Sequence, residues 1–432
     1  MPRRRSVLAA LSAAWLAGCA VDSGDGAATQ PDGSPSVSTP PTGSRYWYTH
    51  PQQTGNRTLP GVGDVRDAEP VTFDPEGTPQ WLVAHPAEGG SQWTVVTEDG
   101  RASRWRVRDG SPERVAEYDP LPAGTQPVVA TGDGAPRPLR PPGDMAPRTS
   151  PMVAPGDGEG PPKLLYVATD GALVVAGERR TRLAVDALSD GRLAALGDGR
   201  YVLFAAPTDR YGHGALGDTT EGASLVAVDA TEPEVVWETT LDAPTVFEGL
   251  QGLVADLDGD GDREIVTTVA DTTNGARITV FDADGERLAT GPVYGPGWRH
   301  QLAVAPFAPD GHPELAVVRK PHVDRVVEFY RLDAGSLDIV ATLSGFSTHT
   351  YGSRILDGAL AADLDGDGRT ELLVPTSDRR TLVAVRRTPD GAEVAWETPL
   401  DSHVTSNLTG VALPGGVAIG VGTDDGVSVW QP

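Results

Sequence analysis

Two stretches of the chain carry carboxylates at a spacing that suits a hard cation. Asp256-Leu257-Asp258-Gly259-Asp260-Gly261-Asp262-Arg263-Glu264 puts acidic side chains at positions 1, 3, 5 and 9. Asp363-Leu364-Asp365-Gly366-Asp367-Gly368-Arg369-Thr370-Glu371 repeats the spacing. Alternate positions of a tight loop point to one centre, and the glycines permit the backbone angles such curling needs. Position 7, Asp262 or Arg369, would add its carbonyl. An oxygen-only shell with several acidic ligands is the chemistry of Ca²⁺, about two ions for the chain. Without a cation, four convergent carboxylates repel one another. A further turn keeps Asp310 and Glu314 but has Pro306 and Ala308 at the first and third positions, so no metal is expected there.

A second group of residues suits recognition. Large polar and aromatic side chains cluster at Phe247-Glu248, Trp298-Arg299-His300, His349-Thr350-Tyr351-Gly352-Ser353-Arg354 and Asp401-Ser402-His403, and again at Asp209-Arg210-Tyr211-Gly212-His213-Gly214. Arg299, His300, His349, Tyr351, Arg354 and His403 are the candidate ligand contacts, suited to a carbohydrate, a peptide or a small acidic ligand. Convergence of His300, His349 and His403 on a metal is the alternative. The chain has no G-x-S-x-G elbow, H-E-x-x-H helix or P-loop, so no catalytic residue is assigned.

The elements that carry these residues are short and β-like. Runs such as Leu164–Ala168, Tyr201–Phe204, Arg277–Phe281 and Leu382–Val385 alternate with Gly/Asp/Pro turns, and no stretch of helical periodicity exceeds ten residues. The acidic loop recurs after 107 residues, and Val236-Trp237-Glu238-Thr239 recurs as Ala395-Trp396-Glu397-Thr398 after 159. Two and three repeats of about 53 residues account for both offsets. Weaker turn-glycine copies at Gly77, Gly160, Gly199, Gly311 and Gly415-Gly416 bring the number of turns to seven. The interval from Gly77 to Gly160 is too long, which the Pro-rich stretch 134–147 explains as a loop insertion. A unit of about 50 residues with four short strands is a β-propeller blade. The expected fold is therefore all-β, a propeller of seven four-stranded antiparallel blades, with six or eight as the other counts. A pair of β-sandwiches is the rival. The last unit has room for only three strands, and Arg45–Thr49 is expected to supply its outer one.

The acidic loop and the apolar strand after it resemble the FG-GAP (VCBS) repeat of integrin-α-like propellers and secreted microbial proteins. The resemblance implies that the loop joins the innermost strand to the next on the lower rim. It also implies that the ion braces the blade and catalyses nothing. It specifies architecture far better than function.

Composition sets the surroundings. Of 432 residues 60 are Asp or Glu and 35 are Lys or Arg, for a formal charge of −25. That balance argues against nucleic acid as a partner. Only Lys163 and Lys320 are lysines, and Asp outnumbers Glu by 40 to 20. The pattern resembles secreted proteins of extreme halophiles, haloarchaea among them; a GC-rich genome is the plain alternative. Residues 1–18 read as a signal peptide: Arg3, Arg4 and Arg5 precede a short apolar run, Arg4–Leu8 fits a twin-arginine signal, and Leu16-Ala17-Gly18-Cys19 resembles a lipobox. Cys19, the only cysteine, would carry the lipid. Residues 19–44, rich in Ser, Thr, Pro, Gly and Asp, read as a disordered tether, and 45–432 as the propeller. Asn56-Arg57-Thr58 and Asn407-Leu408-Thr409 match the N-glycosylation pattern.

The expectation is an extracellular, lipid-anchored binding module that captures a polysaccharide or a protein, with Ca²⁺ as its cofactor and a lipid anchor as its contact with the membrane. A secreted propeller enzyme (polysaccharide lyase, hydrolase or quinoprotein-like oxidoreductase) is the alternative.

Overall fold

The computed structural model describes residue 40 and residues 43–132, 134–156 and 160–432. The expected signal peptide, Cys19 and most of the expected tether lie outside the described residues. Among those described there are strands, turns and loops but no helix.

Seven four-stranded antiparallel sheets recur among the described residues, at 79–118, 152–183, 194–240, 246–290, 299–344, 360–399 and 404–430. They are numbered 1 to 7 here in that order. Sheets 3 and 4 are joined by one bridge, Gly222 to Phe247. Sheet 7 has three strands of its own. Its fourth, Val71–Phe73, comes from the other end of the chain and pairs antiparallel with Gly426–Trp430. The closing strand is thus not Arg45–Thr49. Arg45–Trp47 instead pairs with Val129–Thr131, which pairs with Arg137–Pro138, in a small sheet of its own. Val71–Phe73 takes the place because its alternation buries Phe73, stacked on Trp105 of sheet 1 at 4.5 Å.

Apolar clusters hold neighbouring sheets side by side from 2 through 7 and from 7 back to 1. Leu165, Val175, Leu203 and Val226 join sheets 2 and 3; Phe204, Phe247, Ile265 and Phe281 join 3 and 4. Val266, Leu315 and Tyr330 join 4 and 5, and Phe329, Val374 and Val383 join 5 and 6. Leu373, Ile419 and Trp430 join 6 and 7, and Trp93, Val95 and Val429 join 7 back to 1. A β-carbon on Gly420 would stand 2.5 Å from the Trp93 ring, so only glycine lets sheets 7 and 1 approach this closely. Tyr48 and Val128, from the ends of the small sheet, pack into the cluster between sheets 2 and 3.

One segment touches the first strands of sheets 2 to 7 and is linked to that of sheet 1 through Asn407. Asn407 of sheet 7 donates to the Thr49 carbonyl (2.6 Å) and to the Leu82 carbonyl of sheet 1 (2.9 Å), and accepts from the Leu82 amide. Gln53 donates to the Val153 carbonyl of sheet 2 and accepts from the Ala195 amide of sheet 3. Thr54 accepts from Val254 of sheet 4, Asn56 makes two bonds to Val304 of sheet 5, and Arg57 accepts from Ala361 of sheet 6. The first strands therefore face a common axis, and residues 49–57 occupy it. Thr58–Val62 then leaves alongside Leu360–Asp363, in parallel. Asn56 and Asn407 are both buried in this arrangement, so neither glycosylation sequence is accessible in the folded protein.

The repeat seen in the sequence is in phase for Trp237 and Trp396, which lie on the fourth strands of sheets 3 and 6. It is out of phase at Gly77, which precedes the first strand of sheet 1, whereas the other turn glycines precede second strands. The counterpart in sheet 1 is Gly89-Gly90. The excess before Gly160 holds two strands of the small sheet rather than a plain loop.

Candidate functional site

Strand direction divides the axial ends into two faces. The acidic loops follow the first strands of sheets 4 and 6 and lie on one face. Loops that enter first strands, and turns between second and third strands, lie on the other.

In each acidic loop the first aspartate organises the curl. Asp256 accepts from the amides of Gly259 (2.7 Å) and Gly261 (3.1 Å); Asp363 accepts from Gly366 (2.8 Å) and Gly368 (3.0 Å). All four glycines have positive φ, between 75° and 99°. Leu257 and Leu364 point into the core and anchor position 2. Asp262 and Arg369 donate their amides to Asp260 and Asp367, closing position 7 into the loop. Glu264 and Glu371 open the second strands, buried, and accept from the amides of Leu257 (2.7 Å) and Leu364 (2.9 Å). Burial pushes Glu264 up to about 7 and Glu371 up to about 8, and the neighbouring aspartates add to both shifts.

Carboxylate oxygens of Asp256, Asp258 and Asp260 lie within 4.8 Å of one another, as do those of Asp363, Asp365 and Glu371. One oxygen of Glu371 is buried without a partner. A partnerless buried oxygen beside gathered carboxylates fits a hard divalent cation. The two trios differ: Glu371 belongs to the second, whereas Glu264 does not belong to the first. Asp367 is drawn aside by Arg386 at 2.8 Å and is not in the second trio.

At the third turn the buried carboxylate is paired with arginines. Glu314 also opens a second strand and is fully buried. It accepts from Arg331 of its own sheet (2.9 Å) and from Arg387 of sheet 6 (2.8 Å). Two guanidinium groups stand where the other loops gather carboxylates.

On the opposite face the expected ligand residues separate into buried and exposed sets. Arg299 and His300 are buried. Arg299 donates to the Ala276 carbonyl and lies over the Tyr294 ring at 5.3 Å. His300 stacks on Trp298 at 4.4 Å and bonds Thr348 through Nδ1 at 2.8 Å. His349 is also buried and bonds His322 at 3.0 Å and the Ser353 carbonyl at 2.8 Å. Burial lowers all three histidines, His349 to about 3, so they are neutral near pH 7. Tyr351 is exposed, with its ring edge-on to His322 at 5.5 Å.

Arg354 donates to Asp190 (2.7 Å) and Asp218. His403 stands apart and faces Asp424 at 3.3 Å. The three histidines His300, His349 and His403 therefore do not converge on a metal. His322, which the spacing did not single out, completes the cluster in place of His403.

The same face holds a carboxylate pair. Glu221 and Glu248 are buried where sheet 3 meets sheet 4. Burial raises Glu221 well above its ordinary range, and the charge of Glu248 raises it further. His213 approaches Glu248 at 2.5 Å, which raises the histidine. A buried carboxyl of raised proton affinity, with a second carboxylate and a histidine beside it, can hold and pass a proton. Beside the Arg354 loop a cavity of about 350 Å³ opens between sheets 1 and 7, reaching Trp81, Glu98, Arg148 and Arg379.

No protein-family model and no curated protein matches the chain. Among solved structures, similar folds include a europium-containing methanol dehydrogenase, at TM-score 0.53 and 9% identity, covering 89% of this chain and 97% of that one. BBS1N in complex with ARL6DN, soaked with mercury, matches at TM-score 0.49 and 11% identity, covering 86% and 98%. The dehydrogenase likeness and the all-β sheets agree on the architecture: the fold is a β-propeller.

Proposed function

We propose that the protein is an extracellular, lipid-anchored binding module, a cation-braced propeller of seven blades that captures a polysaccharide or a protein. In this reading the seven sheets are the blades, and the acidic loops hold about two Ca²⁺ ions as braces of the FG-GAP type. The observation that carries it is the division of the two faces. Carboxylates that fit cations gather on one, while the histidine–tryptophan cluster, exposed Tyr351 and the open cavity gather on the other. Residues 49–57 fill the axis, so recognition falls to the surface of that second face.

Retention of the mature protein on envelope polysaccharides and surface proteins tests the reading. Retention reduced by Tyr351→Ala, with melting unchanged, is the expected result. Failure to retain any such polymer overturns it.

The Glu221–Glu248 pair favours a second reading, a hydrolase or lyase that transfers a proton at this face. Turnover of a polysaccharide, abolished by Glu248→Gln while retention persists, would establish it over simple capture.

A further inference from the structure

The cavity between sheets 1 and 7 carries an unusual charge arrangement for a chain of formal charge −25. Three arginines from three loops reach it: Arg148, Arg354 and Arg379. Arg354 is neutralised by Asp190 and Asp218. The other two are not. Arg379 donates to the Thr350 hydroxyl and has no carboxylate at ion-pair distance among the described residues, and burial lowers its proton affinity. Arg148 is exposed, has no partner among the described residues, and sits at φ 68° in the left-handed region. Guanidinium groups that line a concavity with no carboxylate at ion-pair distance among the described residues are complementary to a planar oxyanion.

The rest of the wall is not cationic. Glu98 offers a carboxylate, an acceptor for hydroxyl groups. Gln80 and Trp81 also line the cavity, and both the Gln80 side-chain amide oxygen and the Trp81 indole N–H are buried without partners. A volume of about 350 Å³ suits one or two sugar rings rather than a chain folded into the site. A bare inorganic anion would use the arginines and leave the acceptors idle. A ligand that joins one carboxylate to several hydroxyls uses both.

We propose that this cavity binds the carboxylate-bearing end of an acidic sugar, with Arg148 and Arg379 as the anion contacts and Glu98 as a hydroxyl acceptor. The proposal rests on the reading of this face as the recognition face, and it names the ligand class.

The test is calorimetric titration of the full mature protein with glucuronate, with glucose and inorganic phosphate in parallel. Glucuronate is expected to bind at least about tenfold more tightly than either control. Arg148→Gln and Arg379→Gln are each expected to cost at least about tenfold, with cooperative melting retained because neither head is in an ion pair with a described carboxylate and Arg379 loses only its bond to the Thr350 hydroxyl. Glu98→Ala separates the proposal from simple charge attraction: loss of both acceptor oxygens weakens glucuronate, whereas removal of a negative charge tightens phosphate.

Equal binding of glucose, phosphate as tight as glucuronate, or arginine variants that bind as well as the parent would each overturn the proposal. If the arginine variants are still retained on envelope polymers without a glucuronate response, the capture reading stands and this cavity is not its site. Glucuronate binding without retention on any polymer would keep the cavity and remove the capture reading.

Discussion

Arg57 and Asp357 meet on the propeller axis, 3.0 Å apart, and neither reaches solvent. Asp357 also accepts from Thr49 (2.8 Å), Gln126 (3.1 Å) and Arg192 (3.5 Å), with His50 at 3.6 Å. One carboxylate thus ties the amino-terminal segment to the loops before sheets 3 and 6 and to the loop after sheet 1. Burial alone would raise Asp357, but His50, Arg57 and Arg192 outweigh it and hold the carboxyl well below its usual range.

Removing that charge should be costly. Asp357→Ala leaves two buried guanidinium groups without a counter-charge, a loss of about 3–5 kcal/mol. Denaturant unfolding checks it. A carboxyl depressed in the folded state stabilises at any pH above its unfolded value, about 3.9. The parent's contribution from Asp357 should therefore be constant at neutral pH and vanish only in strong acid. A midpoint insensitive to Asp357→Ala would remove the axial hub from the account of stability.

The acidic loops should show the opposite pH dependence when stripped of cations. Glu264 and Glu371 are raised in the fold, so the protonated form is favoured there. Their stabilisation is complete below the unfolded value, about 4.3, and is lost as pH rises through about 7 and 8. Melting temperature of the chelated protein should fall over that window. Saturating Ca²⁺ should abolish the slope, because the cation binds the ionised form.

Stoichiometry follows from the two loops. Calorimetry should saturate near two Ca²⁺ ions per chain, with Mg²⁺ weaker because it demands a tighter octahedron. Asp258→Ala and Asp365→Ala should each halve that value. Two ions still bound by either variant would place the cations elsewhere.

The third turn should ignore calcium. Glu314→Ala strands Arg387, which is buried against sheet 5, and should cost about 3 kcal/mol or more. The parent's Arg331 and Arg387 contacts should be indifferent to chelation. Differential melting with and without Ca²⁺ reads this directly.

Asn407 is a structural residue. It is 0% exposed and bonds both Leu82 backbone groups and the Thr49 carbonyl. Asn407→Ala should destabilise by about 1–3 kcal/mol, since it leaves buried backbone groups unpaired. Mass spectrometry of the folded protein should find no glycan at Asn407 or Asn56.

Local chemistry was legible in the sequence. The Asp-x-Asp-Gly-Asp-Gly runs specify their own loop, because the first aspartate bonds amides three and five residues later and glycine alone accepts the angles between. Repeats of those runs and of the Trp-Glu-Thr strands revealed the propeller, since equal units bury equal faces. Long-range placement was decided only by the tertiary structure. Nothing local distinguishes Val71–Phe73 from Arg45–Thr49 as the closing strand; the choice depends on Trp105 and Val427, distant in sequence. Asp357, Arg57 and Arg192 are unremarkable as single residues and become a hub because seven first strands converge on one axis. For the same reason His322, not His403, joins His349, and Arg331 and Arg387 neutralise Glu314. Charges meet across a ring according to which sheets are neighbours, and that proximity is a property of closure rather than of spacing along the chain.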